Sequence, residues 1–493
     1  MKLSQILTQT KIEFSVLNQI NDLEFNDIAL DSRLVTNSSI FFALQGQNQD
    51  GKKFIDDAVK NGAVAVVSNQ VCDLKVPLIL CENPFDLLVE FLQIFYFPLP
   101  SNIYAITGTN GKTSTAEFTR QILGFLGKKS ASIGTLGIIT DVKEFESNLS
   151  SSLTTPDIVV LYKNLYNLKK AQIDDVAIEV SSIGLEQQRI AGLKINVGAF
   201  TNFSQDHLDY LNSMEKYFDC KMILFNQTVG AQGFAVLNSD ISEFAKIKEI
   251  GQKRNLQIIE YGFKAKDLKL LEILSNNFGQ QILFEFRNEK YQFNLSVVGD
   301  FQAFNALCAL ANILAKYDLP KNDLENLLKN FDKLSAAAGR MQRVAVLENK
   351  AQIFVDFAHS PDALENVLNL ARQITKARVI VLFGCGGNRD AKKRPIMGKI
   401  ASELADFVIV TDDNPRNEEP STIRAQILSA CSPEKTIEIA NRKVAIEKAI
   451  EMLQNDDVLI LAGKGHEKYQ IIGETKFDFD EEKIVKNVVA KSA

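Results

Sequence analysis

The stretch Ile103-Tyr-Ala-Ile-Thr-Gly-Thr-Asn-Gly-Lys-Thr-Ser114 constrains this chain most, because an apolar run ends in a glycine-containing loop that opens into a helical pattern. Backbone N–H groups at such a helix start can cradle phosphate, while Lys112 adds a point charge and the Thr113 hydroxyl can ligate magnesium. The loop suits a nucleoside triphosphate. It departs from the spacing G-x-x-x-x-G-K-[ST], since Ile106 stands where the first glycine falls and Gly108 comes two residues later. Short apolar runs alternate with longer helical patterns elsewhere too, which is the signature of α/β domains with parallel sheets.

A chain of 493 residues exceeds the roughly 250–300 residues at which a single core stops growing. Three domains are expected, at 1–100, 101–335 and 336–493, divided at Pro98-Leu-Pro100 and near the Ala-rich stretch Ser335 to Ala338. Strands are predicted at Gly62 to Val67, Ile103 to Thr107, Val176 to Val180, Val197 to Phe200, Phe234 to Leu237, Ile353 to Phe357, Val379 to Phe383, Phe407 to Val410, Ile437 to Ala440 and Val458 to Leu461. Alternating strands around an Asn-Asn-Phe-Gly turn, between about Leu268 and Val298, predict an antiparallel patch before a helix near Phe301 to Tyr317.

With 61 acids against 55 bases, the net charge is −6, so a nucleic-acid partner would need a local basic patch, and no long Lys/Arg run supplies one. The six cysteines form no C-x-x-C pair, which fits a reducing compartment. The N-terminus lacks the unbroken apolar segment of a signal peptide. Runs such as Val64 to Val67 are far below the roughly 20 residues that cross a bilayer. A cytoplasmic protein without membrane insertion is expected.

Val176-Ala-Ile-Glu179 ends an apolar strand in a carboxylate, the oxygen donor that a magnesium site beside a phosphate loop needs. The three histidines, His207, His359 and His466, all sit in polar segments beside predicted element ends. On the predicted helix Ser213 to Phe225, Lys221 interrupts the apolar face of Met214, Phe218 and Phe225. Spacing alone favours a stem that packs and an ammonium that snorkels to water; the alternative is a functional, desolvated lysine.

Asp31-Ser-Arg33 with Asp50-Gly51, Gly108 to Ser114, Thr154-Thr-Pro156, Glu179-Val-Ser-Ser-Ile-Gly-Leu185 with Gln187 and Arg189, and Thr201-Asn-Phe-Ser-Gln-Asp-His-Leu-Asp209 follow one another in the first half. Gly339-Arg-Met341, Asp356-Phe-Ala-His359, Gly384-Cys-Gly-Gly-Asn-Arg-Asp390, Asp413-Asn-Pro-Arg416 and Gly463-Lys-Gly-His-Glu467 complete the order. In that order they resemble the Mur ligase family, and within it the ligases that add a third amino acid. The resemblance implies a domain for the UDP end of the substrate, a central phosphate-loop ATPase domain with a mostly parallel sheet, and a Rossmann-like C-terminal domain that brings the amino acid. The implied reaction belongs to cytoplasmic peptidoglycan precursor synthesis. ATP phosphorylates the D-glutamyl carboxylate of UDP-N-acetylmuramoyl-L-alanyl-D-glutamate, and an amine attacks the acyl phosphate.

Residue by residue, the resemblance implies ATP contacts from Gly108, Thr109, Asn110, Gly111, Lys112, Thr113 and Ser114, with Lys112 on the β/γ-phosphates. Thr113 and Glu179 match the ligands of one magnesium ion and His207 that of a second. Lys221 matches the family's N6-carboxylysine, whose carbon dioxide adduct turns a cation into a carboxylate able to help place magnesium. Lys112, Lys221 and His207 are then the catalytic residues. Asn305, Arg340 and Asp356 match adenine, phosphate and ribose contacts, with His359 beside them, and Gln302 stands where the family commonly has Asn. Leu30 and Ser32 match uridine contacts. Thr154, Thr155, Ser181, Gln187 and Arg189 match the grip on the pyrophosphate and muramoyl dipeptide, unless some merely cap strands and helices.

Asp413-Asn414-Pro415-Arg416 looks like the version in ligases that add meso-2,6-diaminopimelate. That substrate carries a carboxylate that lysine lacks, and a guanidinium fork can grip it bidentately. Arg389, Gly463 and Glu467 complete the implied pocket, with Glu467 on a substrate ammonium. The alternatives are a lysine-adding form, a folylpolyglutamate-synthetase-like ligase, or a phosphate-loop ATPase switch.

Overall fold

In the computed structural model, which describes every residue other than 19, 21–22, 47–48, 144, 146–152, 205–212, 277 and 493, the predicted apolar runs are strands and the periodic stretches helices. The residues gather into two units. One comprises Met1–Lys112, Gly127–Leu237 and Ile241–Ile258; the other comprises Thr113–Leu126, Asn238–Asp240 and Ile259–Ala493.

The first unit opens with α1 (Leu3–Leu7), α2 (Ile55–Lys60), α3 (Pro84–Phe95) and a five-stranded sheet. Its strands β1 (Ser15–Leu17), β2 (Asp27–Ala29), β3 (Ser39–Phe42), β4 (Ala63–Ser68) and β5 (Leu78–Leu80) lie in the order β1-β5-β4-β3-β2, with only the β1–β5 pair antiparallel. Helix α3 starts where Asn83 accepts a hydrogen bond from the Phe85 N–H at 3.1 Å, and Pro84 occupies a first-turn position that needs no donor. Its Leu87, Leu88, Phe91 and Leu92 are buried in the core.

The same unit continues with β6 (Asn102–Thr107), β7 (Ser130–Gly134), β8 (Gly137–Thr140), β9 (Asp175–Glu179), β10 (Ile195–Phe200) and β11 (Val229–Asn238), in the order β11-β10-β6-β9-β7-β8. All pairs are parallel except the β7–β8 hairpin. From β6 the chain passes through α4 (Lys112–Phe125), whose residues from Thr113 on belong to the other unit, to β7 and returns through α5 (Ile158–Lys170) to β9. After α6 (Ser182–Glu186) it crosses to β10 on the opposite side of β6. Strand order reverses there, and ligands of open α/β sheets bind outside the carboxyl ends of strands at such a reversal. Those ends are Thr107-Gly108, Glu179 and Phe200-Thr201. Helices α7 (Met214–Ile223) and α8 (Phe244–Lys253) complete the unit.

In the second unit the expected antiparallel patch is β13 (Leu268–Asn276), β14 (Gly279–Phe286) and β15 (Glu289–Leu295), beside β12 (Gln257–Gly262). Helix α9 (Asp300–Lys316) follows, then α10 (Lys321–Leu328). The six-stranded sheet beyond them has β16 (Gln342–Val346), β17 (Gln352–Asp356), β18 (Val379–Phe383), β19 (Phe407–Val410), β20 (Thr436–Glu438) and β21 (Val458–Ala462) in the order β16-β17-β21-β18-β19-β20. All but β16–β17 pair in parallel. Alternate residues feed opposite faces: Val379, Val381 and Phe383 meet α11 (Pro361–Ile374), α12 (Lys393–Leu404) and α13 (Pro420–Leu428), while Ile380 and Leu382 meet α14 (Arg442–Glu451) and α15 (Glu481–Ser492). Burial on both faces explains the unbroken apolar runs. Strand β21 returns between β17 and β18, so the carboxyl ends at Asp356, Ala462 and Phe383 meet at a second reversal. The hairpin β22 (Tyr469–Ile472) and β23 (Thr475–Asp478) stands apart from this sheet. Among the described residues no helix is long and apolar enough to cross a membrane.

Candidate active site

Gly108 leaves β6 with φ +142°, and a Cβ there would lie 2.0 Å from Thr201 Oγ1, so glycine lets the loop pass the end of β10 this closely. Thr201 donates to the Asn110 carbonyl at 2.6 Å. The Thr109 N–H donates to the Asn202 carbonyl at 2.9 Å, and the Asn110 N–H to Asn202 Oδ1 at 2.8 Å. Thr201 and Asn202 therefore shape the loop, a role the sequence reading does not assign although both stand in a recognised motif.

The Gly108 carbonyl accepts from two ammonium groups, Lys112 Nζ at 2.9 Å and Lys221 Nζ at 2.8 Å, and Lys112 also donates to the Thr109 carbonyl at 2.7 Å. Lys221 is 1% exposed and its ammonium lies 4.5 Å from the Tyr217 ring centroid. This corrects the snorkelling expected from spacing alone. The face of α7 that carries Phe218 points inward, and the carbonyl and the aromatic ring replace water around the cation. Two cations on one loop carbonyl concentrate positive charge where a polyphosphate would need it.

Glu179, 2% exposed at the end of β9, accepts from the Thr135 N–H at 2.9 Å and from Thr135 Oγ1 at 3.3 Å. Around it gather the residues expected to grip the substrate. Thr154 Oγ1 lies 3.2 Å from Thr135 Oγ1, and Thr155 donates to the Glu179 carbonyl at 3.0 Å and accepts from the Ser181 N–H at 2.9 Å. Arg189 donates to the Thr155 carbonyl at 2.7 Å and to Gln187 Oε1 at 2.6 and 3.1 Å. Ser181 also caps α6, its Oγ accepting from the Gly184 N–H at 3.0 Å, as the capping alternative anticipates. Leu30 and Ser32 stand apart from this cluster in sequence and sheet, just after β2, where Asn61 donates to the Ser32 carbonyl at 2.8 Å. Thr135 was missed by the sequence reading; its signal is only a Gly-flanked turn after β7.

The hydroxyl of Thr113 and the carboxylate of Glu179 are hard oxygen donors, a chemistry that fits Mg2+. Thr113 stands in the first turn of α4 and is 8% exposed. The expected second metal ligand, His207, lies outside the described residues.

In the second unit, Asn305 on α9 accepts from the Thr115 hydroxyl at 3.4 Å and donates to Gln302 Oε1 at 3.0 Å. Gln302, which replaces the family's usual Asn, is buried and turned toward Asn305. At the end of β17, Asp356 accepts from the N–H groups of Met341 at 2.7 Å and Ala358 at 2.8 Å. Burial pushes its carboxyl above the usual range against those bonds. Phe357 holds Arg340, His359 and His466 around its ring, at 5.4, 4.6 and 5.1 Å between centres.

The Asp413–Arg416 loop follows β19. Asn414 donates to Glu467 Oε2 at 2.8 Å, and Gly463 has φ +112° where a Cβ would come within 2.8 Å of Asp413 Oδ2. Arg416 N–H donates to the Ile471 carbonyl at 3.1 Å and Gln470 Nε2 to the Asp413 carbonyl at 2.6 Å, so the β22–β23 hairpin straps the loop. The Arg416 guanidinium donates through Nη1 to Gly387 O at 2.9 Å and Asn414 O at 3.5 Å. A Cβ on Gly387 would lie 1.9 Å from the Pro415 carbonyl, which shows how closely the two loops meet. Arg389 is exposed in the loop after β18 that Gly387 joins to Pro415. The structure thus brings Asp413, Asn414, Pro415, Arg416, Gly463 and Glu467 into one cluster with Arg389 at its edge.

A phosphate loop at one sheet reversal and a cluster of charged and amide side chains beside another define a nucleotide-dependent enzyme of α/β architecture. Sequence models for the Mur ligase family (catalytic domain), the Mur ligase middle domain and the Mur ligase glutamate ligase domain match residues 24–80, 106–313 and 339–465. The chain belongs to the Mur ligase family, with its three domains in succession. It is 40% identical to UDP-N-acetylmuramoyl-L-alanyl-D-glutamate--2,6-diaminopimelate ligase of Rickettsia conorii, over 94% of this chain and 95% of the relative. The enzyme of that name from Bradyrhizobium diazoefficiens is 41% identical over 95% of each chain. A solved structure of a UDP-N-acetylmuramoyl-L-alanyl-D-glutamate--2,6-diaminopimelate ligase superposes with a TM-score of 0.70 at 29% identity, covering 100% of this chain and 99% of the other.

Proposed function

We propose that this enzyme is an ATP-dependent ligase that joins meso-2,6-diaminopimelate to UDP-N-acetylmuramoyl-L-alanyl-D-glutamate, in the cytoplasmic synthesis of peptidoglycan precursors that serves cell shape and division. The observation that carries the reading is the likeness to ligases of that name along nearly the whole chain, together with Arg416 in the Asp-Asn-Pro-Arg loop. The proposed domains are 1–100 for the UDP substrate, 101–335 for ATP and 336–493 for the amino acid.

A carboxylate is a poor electrophile, so the terminal phosphoryl group of ATP passes first to the D-glutamyl carboxylate, leaving ADP. The amine of diaminopimelate then attacks the acyl carbon, and phosphate departs. Residues Gly108 to Ser114 hold the triphosphate, and Lys112 offsets charge on the moving phosphoryl group. Asn305, Arg340 and Asp356 hold adenine, phosphate and ribose. Thr113, Glu179 and His207 are the proposed magnesium ligands, and the ion would supply further charge stabilisation there. Lys221 is the proposed N6-carboxylysine. Its nitrogen would keep one N–H, the group that Gly108 O needs, while its new carboxylate joins the oxygen donors. Leu30 and Ser32 receive the uridine. Thr154, Thr155, Ser181, Gln187 and Arg189 offer hydroxyls, an amide and a guanidinium to phosphate and carboxylate oxygens. Arg416 takes the distal carboxylate of diaminopimelate and Glu467 an ammonium.

ADP release from the purified enzyme should require both the UDP-muramoyl dipeptide and diaminopimelate, with lysine a poor replacement. Release indifferent to both substrates would indicate a switch-like ATPase and reject the reading; equal use of lysine would reject the role of Arg416.

A further inference from the structure

Lys464 is fully buried among the residues of the amino-acid cluster. Its Nζ donates to Asn414 Oδ1 at 3.1 Å and lies 3.5 Å from Glu467 Oε2. Burial pushes this ammonium below its ordinary pKa, and the carboxylates of Asp413 and Glu467 oppose the shift. Enclosing a cation is costly unless its partners are well placed, and an apolar side chain would fill the same volume at lower cost.

The partners show what the cation accomplishes. Asn414 Oδ1 accepts from Lys464 Nζ and from the Ile471 N–H at 2.9 Å, so the amide oxygen is fixed on that side and the NH2 group faces Glu467 Oε2 at 2.8 Å. Reversing the amide would set its NH2 against two donors and its oxygen against a carboxylate. Asn414 and Lys464 both engage Oε2, which leaves Oε1 of Glu467 for another donor.

We propose that Lys464 is a positioning residue of the amino-acid pocket: it locks the Asn414 amide and Glu467 Oε2 so that Glu467 Oε1 receives the ammonium of the incoming diamino acid. This rests on the reading of the cluster as the diaminopimelate site. Lys464 touches no reacting atom, so its effect falls on capture of the amino acid rather than on phosphoryl transfer.

Steady-state ADP release by the full chain, with the UDP-muramoyl dipeptide saturating, tests it. Lys464→Met should raise KM for diaminopimelate about tenfold to a hundredfold, the range set by one charged hydrogen bond, while kcat and KM for ATP stay within about twofold. Lys464→Gln, which keeps a donor for Asn414 Oδ1, should recover part of the loss. An unchanged KM for diaminopimelate overturns the proposal, as does a loss spread equally over kcat and both KM values. If Lys464→Met does not fold, Lys464→Gln carries the test against the wild type, with a smaller rise in KM for diaminopimelate, kcat and KM for ATP within about twofold, and the same contrary results. Wild-type release that ignores diaminopimelate would defeat the reading of the pocket itself, whereas a diaminopimelate-dependent wild type with an indifferent Lys464→Met defeats only the role of Lys464.

Discussion

Replacing Arg416 by alanine isolates the contact that separates diaminopimelate from lysine. Both side-chain hydrogen bonds of Arg416 use Nη1, to Gly387 O and Asn414 O, which leaves the Nε–Nη2 edge of the fork to meet a carboxylate with two parallel bonds. Arg416 is half-buried, so solvent screens part of that pair and about 2–3 kcal/mol is a fair value for it. At about 1.4 kcal/mol per factor of ten, KM for diaminopimelate should rise roughly 30- to 150-fold. The loop bonds lost with Nη1 add about 1 kcal/mol of destabilisation. Arg416→Lys keeps a point charge without the fork and should fall between, at about tenfold. The assay is coupled ADP release, titrating diaminopimelate and ATP separately, with a thermal melt to follow the loop. A KM for ATP that rises as much as that for diaminopimelate would refute the placement of Arg416 in the amino-acid pocket.

Gly108→Ala forces an L side chain to φ +142° and displaces Thr201 from the carbonyls of Asn110 and Thr107. Together these changes should cost about 3 kcal/mol and weaken ATP binding, with Thr201→Ala in the same background recovering part of it; wild-type ATP affinity and melting temperature in Gly108→Ala would contradict the geometry. Lys221→Ala should abolish turnover, with partial return in bicarbonate or a small carboxylate and none in chloride, measured as ADP release; full activity would show that Lys221 is only a packed cation.

The parallel sheets were legible because each central strand is buried on both faces and therefore reads as an apolar run: Val379 to Phe383 and Phe407 to Val410 coincide with β18 and β19. The first sheet was largely hidden. Strands β1, β2 and β5 have three residues each, too few to display any period. Lys221 shows the converse limit: helical spacing places its stem on the inner face, but only the three-dimensional approach of the Gly108 carbonyl explains why the ammonium stays there. Glu179, the phosphate loop and the Asp413–Arg416 loop were legible because each stands at a strand end with its chemistry written in consecutive residues. Thr135 and Lys464 were not assigned, since their work is to hold other side chains, and such partnerships join residues 44 and 50 positions apart.

The acyl phosphate is the account's centre, and oxygen transfer reports on it most directly. With both oxygens of the D-glutamyl carboxylate labelled with 18O, phosphate released during turnover with diaminopimelate should carry one labelled oxygen, and the new amide should keep the other. Phosphate free of label, with an elongated peptide formed at the normal rate, would contradict the account.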